Sequence, residues 1–172
     1  MNKLFRALSA AALLVSGGVA ADGWQVGASY LHLSDDSGQR IGLSALALTA
    51  GYEFEMTERF SVIPEVRLGI GTNKDDVNSL SGRMDVEIDR FTSLGVRLQY
   101  SFDNNVYLYA APIWANLDIS ASSSSFSFSD DSSELGGAVG LGYRNAANWS
   151  FDAAYEKYDD TDTLQLGLRY HF

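Results

Sequence analysis

The chain has 172 residues, enough for one domain, and its 22 Asp and Glu outnumber its 12 Lys and Arg, which gives a formal net charge of −10. That acidic balance disfavours nucleic acid and anionic lipid as partners, because both need a basic protein face. The chain has no cysteine, which excludes disulfides, zinc–thiolate sites and thiol catalysis.

Residues 1–21 have the features of a secretory signal peptide. Lys3 and Arg6 give a positive start, a short apolar run follows, and a small-residue cleavage site of the A-x-A type ends at Ala21. The run is shorter than the roughly 20 residues with which a helix spans a bilayer, so an N-terminal anchor is the less favoured alternative. The sequence predicts cleavage near Ala21 and a mature domain over residues 22–172. Its charge moves from −10 to −12, because two cations and no anions are removed.

Beyond the signal peptide, apolar residues recur at every second position, which is the period of a β-strand. No mature stretch has the continuous apolar length of a membrane helix. Eight segments show the pattern: 24–33, 43–55, 60–71, 84–102, 106–120, 134–144, 149–156 and 163–172.

The last segment shows the alternation most clearly. Its apolar face holds Leu164, Leu166, Leu168, Tyr170 and Phe172, and its polar face holds Thr163, Gln165, Gly167, Arg169 and His171. In the fifth segment we assign the apolar face to Tyr107, Tyr109, Ala111, Ile113, Ala115, Leu117 and Ile119. The opposite face of that segment also holds Leu108 and Trp114. Pro64 and Pro112 lie inside predicted strands, where each loses a ladder hydrogen bond, so we expect a local bulge at one or both.

The connections alternate in length. Three tight turns cover 56–59, 103–105 and 145–148, and four mostly longer connections cover 34–41, 72–89, 121–133 and 159–162. Aromatic residues collect at the strand ends that meet the tight turns or the termini, as in an aromatic girdle at one membrane interface. These features predict an all-β fold, an eight-stranded antiparallel up-and-down transmembrane β-barrel, with short periplasmic turns and longer outer loops. A soluble β-sandwich is the alternative, but its inner face would be apolar.

The C-terminal strand carries a resemblance to a known family. Tyr170 and Phe172, with the aromatic residue at the terminus, resemble the signal that the barrel-assembly machinery reads. With the signal peptide and the eight amphipathic segments, the chain resembles the small outer-membrane barrels that include OmpX, the OmpA transmembrane domain and the opacity-type surface proteins. The resemblance implies a monomer in the cell outer membrane. It implies lipid and lipopolysaccharide as surroundings and the assembly machinery as a partner.

The face opposite the lipid carries charges. An eight-stranded barrel is just filled by its side chains, so charges pointing inward must pair. The sequence places four anions and four cations there: Glu53, Glu65, Arg67, Arg97, Arg144, Asp152, Glu156 and Arg169. They predict a lumen ion-pair network, which is either a static plug that holds the barrel together or a gated path for ions.

The sequence contains few candidate catalytic or metal-binding residues. His32 and Ser34 form an H-x-S pair that resembles the Ser and His of lipid A deacylases. The alternative is a histidine of the girdle that happens to precede a serine of the loop. His171 is expected to make a lumen hydrogen bond, and two histidines at opposite ends of a barrel form no metal site. We therefore expect no enzyme, no metal and no cofactor.

The outer connections carry acidic pairs at 35–36, 75–76, 130–131 and 159–162. They either bind Ca²⁺ or Mg²⁺, bridging to lipopolysaccharide phosphates, or form a solvated charged surface. The serine-rich stretch 120–133 is either a flexible loop or a protruding strand pair with an exposed β-edge that can recruit a partner strand. The sequence predicts a non-enzymatic outer-membrane barrel with a plugged polar lumen and acidic surface loops. Its role would be surface recognition of an extracellular ligand, adhesion or envelope support; the alternative is a narrow pore for ions or small solutes.

Overall fold

A computed structural model describes residues 23–35, 41–72, 74–79, 82–123, 126–159 and 161–172. The predicted signal peptide and its cleavage site lie outside these residues. Among them, no helix is long and apolar enough to cross a membrane.

The described chain is a single antiparallel sheet that closes on itself. Its strands are β1 (Trp24–Asp35), β2 (Ile41–Tyr52), β3 (Phe54–Glu55), β4 (Phe60–Gly71), β5 (Lys74–Ser79), β6 (Gly82–Ser101), β7 (Val106–Ser123), β8 (Phe126–Arg144), β9 (Trp149–Tyr158) and β10 (Thr161–His171). β3 continues β2 in the same register along β4, and β5 continues the path of β4 along β6. The ten strands therefore make eight barrel walls. β1 pairs with β10 along its length, which closes the predicted eight-stranded barrel.

The three tight turns lie where the sequence predicts them. Asn105 and Asn148 have positive φ angles of 64° and 63°, a conformation that asparagine tolerates better than most residues. The side-chain oxygen of Asn145 accepts hydrogen bonds from the backbone N–H groups of Ala147 and Trp149. Local side-chain bonds of this kind fix the tight turns at this end of the barrel.

Alternation sorts side chains between lipid and lumen, as predicted, in every segment but one. The fifth segment was assigned to the wrong face: Tyr107 is 2% exposed and points inward, whereas Leu108 (49%) and Trp114 (43%) point outward. Tyr109, Ala111, Ile113 and Ala115 are also buried inside. The assignment failed because the interior is itself apolar along this strand, so hydrophobicity does not separate the two faces.

The prolines cause no bulge, so that prediction is also wrong. Pro64 lies opposite Val96 and Pro112 opposite Gly137, both in an unbroken register. The register shift lies instead between Ile88 and Arg90 in β6. The ladder does break between Tyr52 and Phe54, the stretch of chain that faces Pro64. A missing N–H donor explains a broken ladder without an inserted residue.

Two of the predicted long connections are mostly strand. β6, β7 and β8 continue beyond the barrel, and β7 pairs with β8 as far as Ser123 opposite Phe126. The structure thus has the protruding strand pair rather than the flexible loop. We use the name outer sheet for β5 and the adjoining outer parts of its neighbours: residues 74–79, 82–89, 118–123 and 126–135.

Candidate functional site

The eight charged residues predicted to face the lumen form three groups along the barrel axis. The lower group lies at the periplasmic mouth. Arg144 donates from Nη2 to Oε2 of Glu53 at 2.7 Å and to Nδ1 of His171 at 2.9 Å. Nε2 of His171 lies 2.9 Å from the hydroxyl of buried Ser150. A cavity of about 510 Å³ opens beside this group, lined by Glu53, Arg144 and His171 together with aromatic residues.

Four charges meet in the middle group. Arg169 binds Glu65 at 2.8 Å and Asp152 at 3.0 Å, and Arg97 lies 3.5 Å and 3.9 Å from the same two carboxylates. The guanidinium of Arg97 also stacks 3.8 Å from the ring centroid of Tyr109, whose hydroxyl donates to Asp152. Two guanidiniums against two carboxylates leave this buried layer without net charge, which buried ions require.

The upper group is built around Arg67 and Glu156. Arg67 donates from Nη1 and Nη2 to the two carboxylate oxygens at 2.6 Å and 3.1 Å, and its Nε donates to Ser93. Gln165 accepts from Nη1, and Tyr158 donates to Glu156. A two-point pair with every charged atom hydrogen-bonded is the arrangement that best offsets the loss of hydration.

Toward the outer mouth the interior becomes apolar, which the sequence analysis missed. We call this layer the apolar collar: Leu31, Leu43, Ala45, Ala47, Phe91, Ile113 and Ala115, all buried in one cluster. It adjoins the upper group, because the Phe91 ring lies 5.5 Å from the guanidinium of Arg67. The signal was present in the sequence, since Leu31 and Leu43 occupy the inward positions of their strands.

The outer sheet leaves a strand edge unpaired. β9 pairs with β8 only from Gly136 downward, so within the described ranges no strand lies along residues 126–133 on the side away from β7. That edge spans eight residues, or roughly 26 Å at about 3.3 Å per residue. At the other side of the sheet, β5 pairs with β6 alone among the described strands.

The outward face of the barrel is apolar. Leu141, Leu164 and Leu166 are each more than half exposed. At the periplasmic strand ends aromatic rings contact one another in pairs: Trp24–Tyr52, Tyr52–Phe54, Tyr100–Phe102, Trp149–Tyr170 and Tyr170–Phe172. An apolar band with an aromatic ring at its edge is the surface that a bilayer stabilises.

The sequence matches the family described as outer membrane protein beta-barrel domain over residues 4–172. The chain belongs to this outer-membrane barrel family. Its fold is shared with Ail, the attachment invasion locus protein of Yersinia pestis, at 21% identity and a TM-score of 0.62, covering 88% of this chain and 99% of that chain. Neisserial surface protein A matches at 19% identity and a TM-score of 0.59, covering 90% of this chain and 100% of that chain. The N-terminal β-barrel domain of Pseudomonas aeruginosa OprF matches at 14% identity and a TM-score of 0.61, covering 88% of this chain and 98% of that chain. No curated protein sequence matched.

For this outer-membrane barrel, His32 and Ser34 of the H-x-S pair bond different groups. His32 lies across the ladder from Ser44, with Nδ1 3.3 Å from the hydroxyl, and Ser44 also bonds the hydroxyl of Tyr30. Ser34 instead donates to the backbone oxygen of Asp162. No hydrogen bond therefore joins the two residues that resembled a deacylase pair in the part of the chain that the structure describes.

A second serine–histidine contact lies inside the barrel, between Ser150 and His171. Arg144 only donates, so Nδ1 of His171 accepts and the neutral ring carries its proton on Nε2. Nε2 then donates to Ser150 and cannot serve as its general base. Ser150 is also fully buried. This contact has the geometry of a structural hydrogen bond.

The acidic pairs of the outer connections fall largely on residues whose side chains the structure does not describe. Asp162 is described: the Tyr155 hydroxyl donates to its carboxylate, and the Lys157 ammonium lies 2.9 Å from the same group. In the described segments, no group of three His, Asp or Glu side chains is arranged to hold a metal ion.

Proposed function

We propose that this outer-membrane barrel is a non-enzymatic surface protein with a plugged lumen, and that the outer sheet is its recognition surface. The observation that carries the proposal is the edge of β8 over residues 126–133, along which no described strand lies on the side away from β7. A free edge presents N–H and C=O groups that a partner strand can pair with, and side-chain contacts then add specificity. Surface recognition or adhesion uses such an edge directly.

The charge of the chain bears on the chemistry of the ligand. Ail of Yersinia pestis has been crystallised with the heparin analogue sucrose octasulfate, a polyanion. The present chain has a formal net charge of −10, with acidic pairs in all four outer connections. Like charges repel, so this barrel is a poor receptor for sulfated polysaccharides. We propose a neutral or basic extended peptide as the ligand class.

The plug is supported by the three charged groups and the collar. Each of the eight charged side chains lies within 4.0 Å of an opposite charge, and the middle and upper groups are buried. Ordered pairs of this kind fill a small barrel and stabilise it. The alternative is a narrow pore for ions or small solutes. It draws support from the lower group, where the Arg144 side chain is 34% exposed beside the periplasmic cavity.

Export and assembly complete the proposal. Residues 1–21 act as a signal peptide that is removed near Ala21. Tyr170 and Phe172 form the signal read by the barrel-assembly machinery, and the barrel works as a monomer surrounded by lipid and lipopolysaccharide. The ring contacts of Tyr170 with Trp149 and Phe172 support a second use of these residues in the girdle.

Recognition is tested by shortening the outer sheet. Asp118 lies directly opposite Asp131, so replacing residues 119–130 with Asn-Gly joins β7 to β8 through a two-residue hairpin turn. Bacteria that display the full chain should adhere to epithelial monolayers and gelatin-coated surfaces several-fold better than bacteria carrying an empty vector. The shortened barrel should not. Heparin-coated surfaces should retain neither.

Heat-modifiable gel migration and surface proteolysis control for folding and export of the shortened barrel. Equal adherence of the full and shortened barrels would show that the outer sheet is not the recognition surface. Equal adherence of bacteria with the full chain and with the empty vector would show that the protein is not an adhesin. Planar-bilayer recordings separate plug from pore. We expect no reproducible conductance steps from the purified full chain, and regular steps would favour the pore.

A further inference from the structure

The polarity of the lumen changes sharply at one level. Below that level, Arg67 and Glu156 are hydrogen-bonded to polar neighbours on β6, β9 and β10. Immediately above it, the apolar collar fills the interior with hydrocarbon from β1, β2, β6 and β7. An outer-membrane barrel can be blocked by either layer, and the two layers predict different consequences of mutation.

The collar continues upward into a small apolar cavity. This cavity measures about 40 Å³, and Leu31, Leu33, Ala45, Phe91, Ala115 and Leu117 supply the apolar part of its wall. Ser132, Glu134, Tyr158, Thr161 and Thr163 supply the polar part of the wall, and the buried Thr163 hydroxyl has no hydrogen-bonding partner among the described residues. Where the wall is hydrocarbon, on β1, β2, β6 and β7, water finds too few hydrogen bonds to remain, so the collar side of the lumen is poorly hydrated.

The interior below the collar has the opposite character. Arg97 Nε, Gln25 Nε2 and the Tyr107 hydroxyl are buried and have no hydrogen-bonding partner in the part of the protein that the structure describes. Buried polar groups of this kind are normally satisfied by water. The cavity of about 510 Å³ at the tight-turn end reaches Glu53, Arg144 and His171. The lower group is therefore open to hydration from that end of the barrel.

We infer that the apolar collar, and not the ion-pair network beneath it, is the barrier that stops water and ions from crossing this barrel. The inference rests on the proposed plugged lumen and assigns the plug to particular residues. An ion in the charged layers meets carboxylates and guanidiniums that replace part of its hydration shell. In the collar it meets only methyl and aromatic groups, where the loss of hydration has no compensation.

Two isoleucines provide a matched test. Ile113 belongs to the collar, whereas Ile63 lies opposite Arg97 on the neighbouring strand, outside the collar cluster. Both point inward and are fully buried, at 2% and 0% exposure. Ile113→Ser and Ile63→Ser remove the same side chain and add the same hydroxyl, one in the collar and one below it. A third variant, Arg67→Gln/Glu156→Gln, removes the upper ion pair and keeps the collar.

The readout is the conductance of the full chain in planar bilayers, with heat-modifiable migration showing that each variant is folded. Wild type, Ile63→Ser and the double glutamine variant should stay silent. Ile113→Ser should give conducting events at least about tenfold more frequent than the background of protein-free bilayers, because a wetted constriction passes ions that an apolar one rejects. Leu31→Thr, a milder collar change, replaces Ile113→Ser if that variant does not fold, and the same increase is expected.

Silence of a folded collar variant would overturn the inference. So would conductance of the double glutamine variant, which would assign the barrier to the ion pair and leave the proposed plug intact. An equal increase for Ile63→Ser and Ile113→Ser would also overturn it, because position along the lumen would then not matter. Regular conductance steps from the wild type are a separate result, since they would show that the lumen is not plugged.

Discussion

Arg67 and Glu156 form a two-point ion pair across the lumen although 89 positions separate them in the chain. Their register neighbours are uncharged: Arg67 lies opposite Thr49 and Ser93, and Glu156 lies opposite Ala138 and Thr163. The contact is therefore made through the interior of the closed barrel and not along the sheet. It holds β4 against β9, which share no ladder.

Breaking this pair from one side should be costly. Arg67→Met leaves the Glu156 carboxylate buried without its cation, and we expect the free energy of unfolding to fall by about 3–5 kcal/mol. Arg67→Met/Glu156→Leu removes both charges and should recover most of that loss. Urea unfolding in phospholipid vesicles, followed by tryptophan fluorescence and gel migration, measures both.

The control for this prediction is the surface pair of Arg59 and Asp103, whose side chains are 51% and 84% exposed. Arg59→Gln should leave the unfolding midpoint unchanged, because water screens exposed pairs. If the single and double variants of the buried pair were equally unstable, the uncompensated charge would not be the cause.

Two glycines on β8 differ in what a methyl group would meet. At Gly140 an added Cβ would overlap the ring of Tyr109, whereas at Gly137 the nearest atom is the Ala111 carbonyl oxygen at 3.8 Å. Gly140→Ala should destabilise the barrel by about 1–3 kcal/mol, the usual range for overpacking. Gly137→Ala should be close to neutral. Urea midpoints provide the comparison.

The cause can be checked through Tyr109 itself. In a Tyr109→Leu background the ring is gone, so adding Gly140→Ala should cost clearly less than it does in the wild type. An undiminished cost would mean that the glycine is needed for the backbone and not to seat the ring.

The C-terminal aromatic residue is predicted to serve assembly in cells more than stability. Phe172→Ala should lower the fraction of barrel that reaches the folded, heat-modifiable form in the outer membrane, while refolding of the purified chain into detergent stays efficient. Phe102→Ala is the matched control, since Phe102 is also a girdle residue in contact with a tyrosine. If the two variants assembled equally well in cells, Phe172 would have no assembly role beyond that of other girdle residues.

His32 is expected to have no catalytic role. Bacteria expressing the wild-type barrel, His32→Ala or Ser44→Ala should contain identical lipid A when their acyl chains are compared by mass spectrometry. Loss of an acyl chain with the wild type, absent with His32→Ala, would reinstate a lipid hydrolase. The contact between His32 and Ser44 would then need a third group to orient the imidazole.

The sequence by itself determined the barrel and most of its two faces. Alternation in the C-terminal strand places Leu164, Leu166 and Leu168 toward lipid, and Gln165 and Arg169 inward, because successive strand residues point to opposite sides of a sheet. The tight turn ending at Asn148 follows from local side-chain hydrogen bonds and a tolerated positive φ. These are properties of neighbouring residues, so the chain carries them before it folds.

Only the tertiary structure decided which charges meet and where the interior is apolar. Arg169 reaches Asp152 on the adjacent strand, and it reaches Glu65 across the lumen because strand tilt and closure bring β4 and β10 together. Tyr107 was assigned outward because hydrophobicity reports an apolar environment without saying whether that environment is lipid or the interior of the barrel. The faces of β7 became distinct only once the sheet closed around Ile113, since closure creates the second apolar environment.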